Sequence, residues 1–219
     1  MTICAVLFDL DGTLIDSAPD LAGAAIDMRQ SRGLAPHPLA HFRPMVGSGA
    51  RGMVGRAFDV GPDDETFAVL RDEFLQRYEQ RMTRQTRVFP EMVPVLAALD
   101  AAAFCWGIVT NKATRFSAPL VEALPSLASA ATLICGNTTA HSKPHPEPLL
   151  EAARRLGVPP GVCIYVGDDL RDVQAGRAAG MTTAAVHWGY LGAGEAIEAW
   201  GADHLLRAPA DLLKLLQMA

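Results

Sequence analysis

The chain has 219 residues, 50% hydrophobic and 20% charged, with a net charge of −5. That length builds one large domain or two modest ones, the composition is ordinary for a protein that buries a core, and the negative balance offers no basic field to nucleic acid. No apolar run approaches the roughly 18 residues that span a bilayer, and the N-terminus lacks the basic region of a signal peptide. Cys4, Cys105, Cys135 and Cys163 stand singly in or beside strand-like runs, with no C-x-x-C. They read as small buried apolar residues. A reduced, cytoplasmic protein without a membrane or nucleic-acid partner is the expectation.

The first element in chain order is an apolar run over residues 3–8, ICAVLF, which predicts a buried strand ending at Asp9. Residues 17–86 show no strand pattern. Helices are predicted over 18–32 before Gly33, over about 48–58, and over 65–83, where Phe67, Leu70, Phe74, Leu75 and Tyr78 form one stripe. This reads as an inserted helical unit, linked at Asp16–Pro19 and Thr86–Pro90. A helix over 91–103 follows, then a strand over 104–110 (FCWGIVT) and another over 131–135 (ATLIC). The helix over 147–156 is closed by Gly157 as a C-cap. A strand over 162–166 (VCIYV), an alanine-rich helix over 170–179 and a strand over 183–187 (TAAVH) complete the alternation. The expected fold is α/β, a doubly wound, Rossmann-like parallel sheet with its site at the carboxyl ends of the strands. Its core comprises residues 1–16 and 87–219, and its helical insertion residues 17–86.

Polar residues cluster after four of these strands. Asp9 and Asp11 follow the first, Thr110 and Asn111 end the second, Ser142 and Lys143 follow the third after a loop, and Asp168, Asp169 and Asp172 follow the fourth. Carboxylates on neighbouring strand ends repel unless a cation bridges them. A small all-oxygen set suits Mg²⁺, which co-binds phosphate. A carboxylate can attack phosphorus, and an acid two residues on can protonate the leaving oxygen and then activate water. In extended backbone Asp9 and Asp11 share a face, and Gly12 permits the sharp turn that follows. Thr110 and Asn111 can donate to phosphoryl oxygens, and Lys143 can offset developing negative charge. Pro144 keeps Lys143 out of the following helix.

The stretches DLDGTLIDS, VTNK, SKPHPEP and VGDDLRD, in this order and spacing, resemble the four motifs of the haloacid-dehalogenase-like hydrolases. The insertion after the first resembles their C1-type cap. Within that superfamily the chain is similar to the phosphoglycolate phosphatases. WGIVTNKATRF, VGDDLRDVQAGRAAGM and AAVHWGYLG look most like the branch acting on N-acetylmuramic acid 6-phosphate. The resemblance implies a nucleophile at Asp9 and a general acid/base at Asp11. It implies Mg²⁺ held by the Asp9 side chain, the Asp11 backbone carbonyl and Asp168. Thr110, Asn111 and Lys143 would bind the phosphoryl group, and Asp172 would hold a metal water or Lys143. The implied substrate is a small anionic phosphate ester, N-acetylmuramic acid 6-phosphate or 2-phosphoglycolate. Many relatives carry a small hydroxyl residue where Asp169 stands.

Other residues keep two readings. Asp172 pairs at the surface with Arg171 or Arg177, or supports the site. The segment VGSGARGM (46–53) is a helix–helix turn, or a loop that folds over the site with Arg51 reaching an anionic group of the substrate. Asp16 is expected to cap the helix near Pro19. His37, His41, His141, His145, His187 and His204 show no metal-ligand spacing and read as loop or core residues. A dehalogenase has no need of Asp11, and residues 17–86 contain no lysine for an imine-forming phosphonate hydrolase. A sugar phosphomutase and a non-catalytic binding protein are the remaining alternatives, and no key motif position is lost.

Overall fold

The computed structural model describes residues 2–192 and 194–218. Strand β1 (Ala5–Phe8) is buried along its whole length, as its unbroken apolar sequence requires. A tight turn leads to β2 (Ile15–Asp16), after which the chain enters four helices: α1 (Ala18–Gln30), α2 (Leu39–Phe42), α3 (Gly49–Phe58) and α4 (Phe67–Glu79). It returns through β3 (Arg87–Val88), which pairs antiparallel with β2. The two crossings into and out of the helical unit are thus hydrogen-bonded to each other.

The alternation then resumes with α5 (Met92–Ala101), β4 (Cys105–Val109), α6 (Thr114–Ala123), β5 (Leu133–Ile134), α7 (Glu147–Leu156), β6 (Cys163–Gly167), α8 (Leu170–Ala178), β7 (Thr182–Val186), β8 (His204–Leu206) and α9 (Ala210–Leu215). The six-stranded sheet has the order β5-β4-β1-β6-β7-β8 and is parallel throughout. Strand β1 lies between β4 and β6, so the sheet reverses direction of winding beside it. That reversal opens the crevice in which doubly wound folds bind ligands.

Alternating residues of β1 feed the two sides of the sheet. Val6 and Phe8 join the larger apolar cluster, which continues into the helical unit through Met28, Phe42, Met53 and Phe74. Ala5 and Leu7 join the smaller one, with Leu149, Ala152 and Cys163. Trp106 packs edge-on against Phe8 with ring centroids 6.0 Å apart, in the core.

Several elements escaped the sequence reading. Helix α6 contains Pro119, which reads locally as a breaker. Strand β8 and helix α9 are short, and β2 and β3 have two residues each. Cys135 and Cys163 are buried as expected, Cys105 is half-buried, and Cys4 is exposed; all four thiols are free. Among the described residues no helix is long and apolar enough to cross a membrane.

Asp20 in the first turn of α1 has no solvent exposure. Its Oδ2 accepts the Gln85 and Thr86 amides (2.9 and 2.8 Å) and the Thr86 hydroxyl (2.9 Å), stapling the entry helix to the exit link. Replacing Asp20 by alanine strands three buried or half-buried donors. We expect Asp20→Ala to lower the unfolding free energy by about 3 kcal/mol, read from urea unfolding midpoints.

Candidate active site

The residues singled out in the sequence converge at the carboxyl ends of β1, β4 and β6. Asp9 follows β1, and its amide donates to the Val166 carbonyl of β6 (2.9 Å). Asp168 follows β6. Carboxylate oxygens of Asp9, Asp168 and Asp172 lie within 4.8 Å of one another. A cavity of about 270 Å³ opens over Asp9, Asp11, Thr110, Asn111, Lys143, Asp169 and Asp172. Its other wall is Val46, Gly47, Ser48 and Gly49 of the helical unit, so the glycine-rich segment does fold over the acids.

Lys143 is the cation at the centre. Its Nζ donates to Asp9 Oδ1 (2.8 Å), Asp172 Oδ1 (2.7 Å), the Tyr165 hydroxyl (2.7 Å) and the Val109 carbonyl (3.1 Å). Burial alone would discharge the amine, but Asp172 and Asp9 reverse that and raise its pKa. Asn111 spends its carboxamide on the same loop. Its Nδ2 donates to the Lys143 carbonyl and its Oδ1 accepts the Lys143 amide, both at 2.9 Å. The asparagine is a clamp on the lysine's backbone. The Thr110 hydroxyl accepts the Lys112 amide (3.1 Å) at the cavity wall.

Asp172 is buried with Lys143, which removes the surface-pair reading with Arg171 or Arg177. Asp172 also closes a reciprocal capping box at the start of α8: Asp169 Oδ1 accepts the Arg171 amide (2.9 Å), and Asp172 Oδ2 accepts the Asp169 amide (3.1 Å). Asp169 turns away from Asp9 to pair with the Arg171 guanidinium (2.7 Å), which holds its carboxyl below the usual range despite burial. The same guanidinium donates to the Gly47 carbonyl of the helical unit.

Burial pushes the Asp9 carboxyl from 3.8 to about 7, against the pull of Lys143 and with a further push from Asp172. Asp168 is raised as well, by burial, then Asp9 and Asp172, although the Tyr190 amide and the Thr13 hydroxyl stabilise its charge at 2.8 and 3.0 Å. Asp9 Oδ2 accepts no hydrogen bond from the described residues. Clustered, repelling, oxygen-only donors with an unclaimed carboxylate oxygen are what a hard divalent cation such as Mg²⁺ takes. The residues present therefore fit that ion.

Four residues that sequence reasoning missed complete the site. Lys112, the last residue of VTNK, places Nζ 3.0 and 3.1 Å from the two Asp11 oxygens and 4.8 Å from the centre of the Tyr78 ring. Ser17 donates its hydroxyl to Asp11 Oδ1. Thr13 holds Asp168. Tyr190, from HWGYLG, binds Asp168 through its amide, and its hydroxyl accepts the Ser17 and Ala18 amides (2.8 and 3.0 Å) and bonds Asp16 Oδ1 (2.9 Å). Gly12, at φ +88°, sits against the Asp168 carboxylate and Tyr190, where a Cβ would collide with both. Asp16 caps α1 weakly, taking the Ala18 amide at 3.3 Å, and chiefly receives both Arg43 nitrogens (2.8–3.2 Å).

Arg51 is not brought to the acids. It lines a second cavity of about 930 Å³ in the helical unit, with Arg56, His37 and His41. Ser48 and Arg171 border both cavities.

A parallel α/β sheet, a helical insertion and carboxylates on adjacent strand ends define a class of hydrolase, and comparison with known proteins names it. The family model for haloacid dehalogenase-like hydrolases matches residues 3–180. The chain belongs to that family. It is 41% identical, over all of its length and 97% of the relative's, to an N-acetylmuramic acid 6-phosphate phosphatase of Pseudomonas aeruginosa. It is 44% identical to a phosphoglycolate phosphatase of Xylella fastidiosa, across 93% of this chain and 89% of that one. The structure of a predicted phosphoglycolate phosphatase from Haemophilus somnus superposes with a TM-score of 0.85 at 26% identity, covering 98% of each chain. The chain is a phosphatase of this family that acts on a small phosphorylated metabolite.

The raised Asp9 carboxyl has a measurable consequence. Between pH about 4 and 7 the folded chain without cation retains a proton that the unfolded chain has released, so stability falls as pH rises through that window. In EDTA, wild type is expected to lose unfolding free energy relative to Asp9→Asn as pH rises across it. Saturating Mg²⁺ is expected to remove that loss, because a cation favours the ionised carboxylates. Urea midpoints of both proteins over a pH series measure it.

Proposed function

We propose that the chain is a Mg²⁺-dependent phosphomonoesterase working through an aspartyl-phosphate at Asp9, with N-acetylmuramic acid 6-phosphate as its substrate. Asp9 lies in the cavity, where Lys143 fixes its carboxylate for attack on phosphorus. As the P–O bond to the leaving alcohol breaks, Asp11 gives that oxygen a proton. In the second half, Asp11 takes a proton from the water that attacks the phosphoryl-enzyme, and inorganic phosphate departs from Asp9. Lys112 and Ser17 orient Asp11 for both transfers. Thr110 offers a donor and Lys143 a positive charge to the phosphoryl oxygens, and Asn111 acts by holding the Lys143 loop. Asp9, Asp168 and the Asp11 backbone carbonyl would hold Mg²⁺, which would neutralise the carboxylates and the bound phosphoryl group. Asp172 keeps Lys143 in place.

The larger cavity carries the substrate assignment. Its volume of about 930 Å³ far exceeds what a two-carbon acid needs, while Arg51, Arg56 and Arg171 on its wall suit a bulky leaving group with its own carboxylate. N-acetylmuramic acid 6-phosphate has both properties. The similarity to phosphoglycolate phosphatases at 44% identity supports the second reading, 2-phosphoglycolate. Four free thiols fit a reducing, cytoplasmic setting.

Asp9→Asn is expected to abolish steady-state turnover of p-nitrophenyl phosphate while circular dichroism stays unchanged, since an amide cannot attack phosphorus. Substantial hydrolysis by that variant would move the nucleophile elsewhere.

Wild-type kcat/KM is expected to be higher for N-acetylmuramic acid 6-phosphate than for 2-phosphoglycolate, and the reverse order would select the second reading. Arg51→Ala is expected to lower kcat/KM for the carboxylated sugar phosphate about ten- to a hundred-fold, the loss of one charge-assisted contact. It should leave p-nitrophenyl phosphate nearly unaffected. Equal losses on both would take Arg51 out of substrate recognition.

A further inference from the structure

The loop that carries Lys143 also gathers two histidines and a glutamate that the phosphatase chemistry does not use. Between β5 and α7 the chain folds back on itself. The Thr139 hydroxyl donates to the His141 carbonyl (2.7 Å), and the His145 amide donates to the Ser142 carbonyl (3.0 Å). This brings the His141 and His145 rings face to face, with centroids 4.2 Å apart and planes 26° from parallel. Glu147, the first residue of α7, completes the group. One of its oxygens accepts the His141 amide (3.0 Å) and lies 2.8 Å from His141 Nδ1. Its own amide meets His145 Nδ1 at 3.2 Å. A ligand atom from each of the three side chains lies within 4.8 Å of the other two.

We propose that His141, His145 and Glu147 bind a zinc-class divalent cation at a site separate from the catalytic aspartates. Two imidazoles and a carboxylate are borderline donors that suit Zn²⁺, Ni²⁺ or Cu²⁺, whereas the Asp9 cluster is all oxygen and suits Mg²⁺. Ligands at zinc distances stand roughly 3.3 Å apart around a tetrahedron. Closing the group to that spacing takes movements of up to about 1.5 Å, and the side chains of His141 and Glu147 are 62% and 38% exposed. On binding, the cation takes the place of the His141 Nδ1–Glu147 contact, the His141 ring proton shifting to Nε2, and it displaces the Glu147 amide from His145 Nδ1, so that each neutral ring offers Nδ1 and keeps its proton on Nε2. Water fills the fourth position. None of the three residues lines the catalytic cavity. The cation would tie together both flanks of Lys143, which sits two residues from each histidine and reaches Asp9.

The test is calorimetric titration of untagged, EDTA-stripped protein with Zn²⁺ in millimolar Mg²⁺, which occupies the aspartates. Wild type is expected to bind one equivalent. The His141→Ala/His145→Ala double variant is expected to bind at least about tenfold more weakly, while still hydrolysing p-nitrophenyl phosphate, which shows that it is folded. Asp168→Asn is expected to keep the zinc site, and zinc is expected to raise the melting temperature of wild type but not of the double variant. Zinc uptake by the double variant equal to wild type overturns the proposal. So does loss of uptake in Asp168→Asn, or no uptake by wild type at submillimolar zinc.

Discussion

The structure depends on keeping three carboxylates buried side by side where two adjacent strands end and helix α8 begins. Ionised groups in such a place are tolerated only when paired. Lys143 provides the protein's own part of that pairing, contacting Asp9 and Asp172 at once. Asn111 clamps its backbone, and Tyr165 and the Val109 carbonyl share its remaining donor. One ammonium cannot neutralise three acids, and the Asp9 and Asp168 carboxyls are raised, chiefly by burial and further by their acidic neighbours. An oxygen-only cluster of this kind fits a hard divalent cation.

The helical unit is joined to this centre through polar contacts. Tyr190 holds Asp168 by its amide and the start of α1 by its hydroxyl. Asp16 lies at the crossing and binds Arg43, whose guanidinium also stands 5.4 Å from the Tyr190 ring centre. Arg171 leaves the core to reach Gly47, and Lys112 leaves it to meet the Tyr78 ring. A movement of the helices would therefore be felt at Asp168 and Asp11 through few intermediaries. Arg171 borders both cavities, so the two share a wall.

Much of this was legible in the primary structure. The apolar runs at β1, β4, β6 and β7 are long enough, and buried enough on both faces, to show without partners. The carboxylates after β1 and β6 were recognisable because acids at the ends of apolar runs have few other reasons to exist. Helix α6 was hidden by Pro119, and strand β8 by its three-residue length, since each is held by tertiary packing rather than local pattern. Lys112 carries no local signal of its own role. Only the approach of the loop after β4 to the loop after β1 puts it on Asp11.

The amino-acid sequence by itself determined the alternating parallel fold, the helical insertion and the identities of the acids, because strand hydrophobicity and motif order are local properties of the chain. Tertiary structure alone decided the partners. It turned Asn111 to the Lys143 backbone, sent Asp169 to Arg171 and buried Asp172 beneath Lys143. It placed Arg51 in a second cavity and brought His141, His145 and Glu147 together. These outcomes depend on distances between atoms far apart in the chain and on how much solvent the surrounding elements exclude, and neither is a property of any segment taken alone.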